Sequence, residues 1–250
     1  MEKLRQAAID ALGRGDFRAA ERACDKLAKA GGGAESTYLR GVMKTMQGKP
    51  LAAIPLLRLA SEKQPERSDI LYNLGVALRD GGRLDEALAA WRRVTALAPD
   101  RVDAWRNLAL ATAEAIGGEA AAEVYAEGLR RHPQDRELLL NGGNLLYRLG
   151  DFEASRALQA RLVESHPDFA AGWTSAAMTN RALGNFAEAE AQYHRAIAGG
   201  DAAEVALAHF NLANLLLLQG RWTEGFTEYE WRRQLPGAPV SPWPAPRWMP

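Results

Sequence analysis

Residues 68–99 read SDILYNLGVALRDGGRLDEALAAWRRVTALAP. Leu71, Leu74, Gly75 and Leu78 recur at three- and four-residue spacing, which places them on one face of a helix. Gly81-Gly82 breaks that helix. Ala87, Trp91 and Val94 then trace the inner face of a second helix, and Pro99 ends it. Small residues, Gly75 and Ala87, stand where the two helices cross closely. Leu71, Leu74 and Trp91 fill the remaining space.

The same plan recurs along the chain. Gly15, Gly48, Gly82, Gly150, Gly184 and Gly220 follow one another at 33 to 36 residues, with one interval of twice 34 where Ile116 replaces the glycine. A fixed period of this length marks stacked units that bury their apolar faces on one another. The pattern resembles the tetratricopeptide repeat, a 34-residue helix–turn–helix with W-x2-L-G-x2-Y, then A-x3-F, then P. The resemblance covers residues 1–235 as seven units of about 1–33, 34–67, 68–101, 102–135, 136–169, 170–205 and 206–235. It implies an all-α, right-handed superhelical solenoid of about seven helix–turn–helix pairs. Asp16 caps the second helix of the first unit and Phe17 packs beneath it. Ser155 and Gln159 are weak replacements at the small and aromatic positions of the fifth unit. Asp201 replaces the sixth proline, and the seventh unit arrives two residues late, so a longer connection is expected after Gly199-Gly200-Asp201.

Composition narrows the function. The 31 basic and 31 acidic residues balance, so no basic stripe for nucleic acid is expected. Cys24 is the one cysteine, which excludes an internal disulfide framework and fits a reducing compartment. The start carries charges throughout, without the apolar core of a signal peptide, and no apolar run reaches the length of a membrane span. A cytoplasmic protein is expected. The four histidines are too scattered to ligate a metal. The glycines never form a phosphate-binding loop after a strand. No catalytic constellation, cofactor or metal is expected.

The first helix of each pair lines the concave face in the resembling family. Counting the first leucine or aromatic of a unit as position 4, the inward positions are roughly 2, 5, 6, 9, 12 and 13. Asn73, Asn107, Asn141 and Asn211 share position 6, and Asn144 and Asn214 share position 9. Asparagine is a mediocre helix-interior residue, so its recurrence needs a cause. One reading is a ladder of carboxamides that grips the backbone of an extended peptide, similar to the asparagine ladder of O-linked N-acetylglucosamine transferases. Leu39 and Ser175 interrupt it in the second and sixth units. Each such bond contributes about 0.5–1.5 kcal/mol net, so four imply roughly micromolar affinity. The other reading is that these asparagines join adjacent repeats. Tyr38, Tyr72, Tyr147, Phe210 and Met178 fall at or beside groove positions and could form pockets, and Arg79, Arg106, Arg148 and Arg181 could take acidic groups, the alternative being a solvated helix edge. The carboxylate clamp of chaperone-binding members is absent: with Asn141 in the middle, its other positions hold Arg106, Leu110, Ala171 and Ser175.

The chain's end departs from the repeat. Residues 221–235, RWTEGFTEYEWRRQL, read as a final helix with Trp222, Phe226 and Tyr229 on one face. Residues 236–250 contain six prolines, which forbid a helix and predict an extended tail or linker. Gly220, Gly225, Phe226, Tyr229, Glu230, Trp231, Arg232 and Pro236 match the junction of bacterial proteins that fuse these repeats to a glycosyltransferase domain. That resemblance implies a module recruiting the acceptor protein, flagellin being one setting, with a C-terminal glycosyltransferase domain in the intact protein as partner. The alternatives are a stand-alone scaffold that self-assembles through its ends, or a chaperone or secretion adaptor.

Overall fold

The computed structural model describes residues 1–235 and 237. Among them lie fourteen α-helices, one 3-10 helix and no strand. Packing divides the chain into two compact bodies, the first being Met1–Arg131 and the second starting at His132.

The first body holds four helix pairs. They are α1 (Glu2–Gly13) with α2 (Phe17–Lys29), α3 (Gly33–Met46) with α4 (Pro50–Lys63), α5 (Ser68–Asp80) with α6 (Leu84–Leu97), and α7 (Val102–Ala115) with α8 (Gly118–Arg131). Local chemistry sets the boundaries. The Asp16 carboxylate accepts from the Ala19 amide at 2.9 Å and caps α2. Pro50 opens α4, where its missing N–H costs nothing. Between paired helices the glycines at 15, 48 and 82 take φ of 69°, 68° and 74°, a left-handed turn that a side chain would strain. In the fourth pair Ile116 does not assume that role. It stays right-handed, and Gly117 turns the chain one residue later at φ 135°.

The core of this body is one continuous cluster running from Ala8 to Ala111. Its repeating device is a glycine facing a large side chain. A Cβ on Gly41 would stand 2.6 Å from Leu57 Cγ, and one on Gly75 would stand 2.5 Å from Trp91 Nε1. Trp91 has no exposed surface, and its Nε1–H donates to the Tyr72 carbonyl at 3.3 Å. Cys24 is buried, and burial pushes its thiol up to about 11, so it behaves as a packing residue.

The second body holds α9 (Arg136–Leu149) with α10 (Phe152–Ser165), α11 (Ala170–Ala182) with α12 (Phe186–Gly199), and α13 (Ala202–Leu218) with α14 (Trp222–Tyr229). Ser155 and Gln159 are not weak substitutes here. The Ser155 hydroxyl donates to the Gly143 carbonyl at 2.9 Å and meets the Thr179 hydroxyl at 3.0 Å. Asn180 donates to Gln192 at 3.0 Å in the next crossing. In the fifth repeat Ser155 and Gln159 thus stand as hydrogen-bonded polar groups where the third, fourth and sixth repeats have an alanine and an aromatic residue. The late seventh repeat also has another cause than expected. The link after α12 is only Gly200-Asp201, and the extra residues lengthen α13 to 17 residues. Asp201 and Glu204 form a reciprocal capping box that starts the helix early.

The final helix is shorter than the sequence suggests. α14 ends at Tyr229 and tightens into a 3-10 turn over Glu230–Gln234. Trp231 stacks on His209 at 4.0 Å between ring centroids, and the His209 Nδ1 meets the Glu228 carboxylate. Phe226 and Tyr229 are half-buried, while Trp222 is 61% exposed. The junction motif therefore folds as the close of the seventh pair, with Gly225 against Leu217. The tail expected over 236–250, and the junction's Pro236, lie outside the described residues apart from Gly237. Among the described residues no helix is long and apolar enough to cross a membrane, and no group of three or more His, Cys, Asp or Glu is placed to hold a metal.

Candidate peptide-binding cleft

In the first body the recurrent amides face neighbouring repeats. The Asn73 amide donates to the Tyr38 hydroxyl at 3.0 Å and to the Asp69 carbonyl at 2.8 Å. Thirty-four residues on, Asn107 donates to the Tyr72 hydroxyl at 3.0 Å and accepts from Arg79 at 3.4 Å. Each tyrosine ring also carries a guanidinium, Arg67 at 5.1 Å over Tyr38 and Arg101 at 3.8 Å over Tyr72. An arginine, a tyrosine and an asparagine thus form one rung that translates by a single repeat. Burial pushes the Tyr38 hydroxyl up to about 12, so it stays neutral and able to accept the amide. Arg67 is held charged by hydrogen bonds to Asp69 and Glu35. Arg106 stands 3.7 Å from Asp103 on its own helix.

The second body treats its amides differently. Asn211 is 9% exposed and donates to the Leu207 carbonyl one turn back at 3.0 Å; Asn214 does the same to Phe210. Asn141 is half-buried on α9. Asn144, Tyr147 and Met178 come together. They line a cavity of about 440 Å³ bounded by α9, α11 and α13, the first helices of their pairs. Leu140, Ala171 and Leu207 add apolar wall, Thr174 and Ser175 add hydroxyls, and Arg148 and Glu204 add one charge of each sign. With one exception, Glu204 ahead of the seventh repeat, these residues occupy the inward positions counted from the sequence.

The polar groups of the cleft are held from behind. Gln159 is 1% exposed on α10, and its Nε2 donates to Asn144 Oδ1 at 3.2 Å. It reaches that far because residue 143 is glycine, whose Cβ would stand 2.5 Å from Gln159 Nε2. Tyr147 is fixed by the Phe152 ring at 5.4 Å. Sequence reasoning named Asn144, Tyr147 and Met178 but not Leu140, Thr174 or Leu207, whose residue types carry no signal of their own. The position count could have found them.

One family's sequence model, described as tetratricopeptide repeat, matches residues 5–66, 46–100, 72–115, 117–170 and 174–239. The chain belongs to the tetratricopeptide repeat family. This repeat protein is 31% identical over 153 residues to Protein FlbA of Caulobacter vibrioides, a match that covers 60% of this chain and 26% of the relative. The chain thus spans about a quarter of that relative's length. Among solved structures, the C-terminal part of a tetratricopeptide repeat protein from Cytophaga hutchinsonii superposes with a TM-score of 0.77 at 15% identity, covering 94% of this chain and 96% of that one. YrrB, described as a tetratricopeptide repeat protein with an unusual peptide-binding site, superposes with a TM-score of 0.59 at 16% identity, covering 70% of this chain and 89% of that one. At such identities the likeness concerns the fold, an all-α solenoid of tetratricopeptide repeats.

Proposed function

We propose that this tetratricopeptide repeat protein binds an extended segment of another protein, and that the cleft of α9, α11 and α13 is where it does so. The observation that carries the reading is the cavity itself. It is apolar, has a few convergent polar groups, and lies on three successive first helices, which is the form of a ligand site. YrrB, a protein of similar fold, is described as having a peptide-binding site, which agrees with this use of the scaffold. Asn144, Tyr147 and Met178 contact the peptide. Asn73 and Asn107 contribute by fixing one repeat against the next, because their amides already have partners. Asn141 and Arg106 are secondary contacts, and Asn211 and Asn214 serve α13 first.

The finer reading is that the bound protein is the acceptor of a bacterial protein glycosyltransferase, flagellin being one such acceptor. It rests on the junction residues Gly220, Gly225, Phe226, Tyr229, Glu230, Trp231 and Arg232. The test is selection of binders from an array of random nonapeptides, followed by Met178→Arg. The charged side chain would fill the apolar cleft, and the selected peptides should lose at least about tenfold in affinity. Peptides that bind the variant as well as the parent would sink the assignment of this cleft.

A further inference from the structure

The cleft has an asymmetry that generic peptide binding does not need. Asn144 and Arg148 lie four residues apart on α9 and so share a face. Arg148 is exposed and has no acidic partner among the described residues. Buried Gln159 takes the Asn144 carbonyl oxygen, leaving the Asn144 Nδ2 hydrogens for the cleft. The remaining oxygen of Gln159 is buried without a partner among the described residues, so this arrangement is held at some cost. The α9 wall thereby offers the Asn144 amide N–H groups and, one turn on, the Arg148 guanidinium, beside the Tyr147 hydroxyl, which can donate or accept. The facing charge, Glu204, is on α13, and its carboxylate accepts from the Asp201 amide. Between the two lies the apolar floor of Leu140, Tyr147, Met178 and Leu207.

We propose that the cleft selects an extended peptide carrying an apolar side chain next to an aspartate or glutamate, the apolar group entering the floor and the carboxylate bridging Asn144 and Arg148. Gln159 is the positioning residue: it touches no ligand but sets which end of the Asn144 amide the ligand meets. The proposal rests on the peptide-binding reading above. A carboxylate accepting from an amide and a guanidinium forms charge-assisted bonds, and an uncharged isostere loses them.

The experiment uses the full chain and an array of random nonapeptides, acetylated and amidated so that side chains are the only carboxylates. The expected binders carry Asp or Glu beside Leu, Ile, Met or Phe. Resynthesised with Asn for Asp or Gln for Glu, the strongest binder should weaken by about tenfold or more at low salt. Arg148→Ala should bring that ratio to about one. Gln159→Leu should shrink the ratio while Arg148→Lys largely keeps it, and a purely structural role for Gln159 would move the thermal midpoint and leave the ratio alone. Binders that need Met178 but show no acidic preference overturn this inference and leave the cleft as a peptide site. An array without binders sensitive to Met178→Arg overturns both.

Discussion

Gly75→Ala adds one carbon where α5 crosses α6. That carbon would stand 2.5 Å from Nε1 and 2.7 Å from Cε2 of Trp91. The indole has no exposed surface and is tied by its own N–H to the Tyr72 carbonyl, so it cannot move aside freely. Overpacking a rigid core ring costs about 1–3 kcal/mol. Alanine's better helix propensity offsets about 0.5–1 kcal/mol of this. The two ranges combine to a loss of about 0–2.5 kcal/mol, with about 1 kcal/mol near the centre, local to the third repeat. Hydrogen exchange of α5 and α6 amides reads it directly, and protection there should fall about five- to tenfold at the centre of that range. Gly13→Ala is the control, because a Cβ at Gly13 meets nothing within 4 Å and protection in α1 should hold or rise slightly. Adding Trp91→Phe to Gly75→Ala should cost less than the two changes made separately, since the smaller ring leaves room. Unchanged protection in Gly75→Ala, or strict additivity of the pair, would refute the close-crossing account.

Asn107→Ala removes the amide bonded to Tyr72 and should lower protection at the boundary between the third and fourth repeats by about 0.5–1.5 kcal/mol, read by the same exchange measurement. Asp16→Ala removes the α2 cap and should cost about 1 kcal/mol, seen as earlier chemical denaturation of the first repeat. The buried Cys24 thiol is raised from 9.0 to about 11, so the native state holds this proton more tightly than the unfolded chain. Stability from this group is therefore complete below pH 9 and declines as pH rises from 9 toward 11. Thermal midpoints between pH 8 and about 10.5 should fall less steeply in Cys24→Ala than in the parent, and equal slopes would contradict the assignment.

The 34-residue period, the helix pairs and most of their ends could be read from the sequence, because helix periodicity, turn glycines and terminal prolines are local signals. The position count taken from the family's repeat leads to Asn144, Tyr147 and Met178, which line one cavity. It could not decide what an inward asparagine does. Asn73 and Asn107 have the same residue type and repeat position as Asn141, yet each of those two amides donates to a tyrosine one repeat earlier, itself beneath an arginine. In the same way Gln159 looked like a poor aromatic, and packing made it the partner of Asn144 through the space left by Gly143. The seventh repeat looked like a long connection, and Asp201 with Glu204 made it a longer helix. A side chain's face follows from the backbone's own geometry. Its partner depends on which neighbouring helix approaches and how closely, and tertiary packing sets that approach.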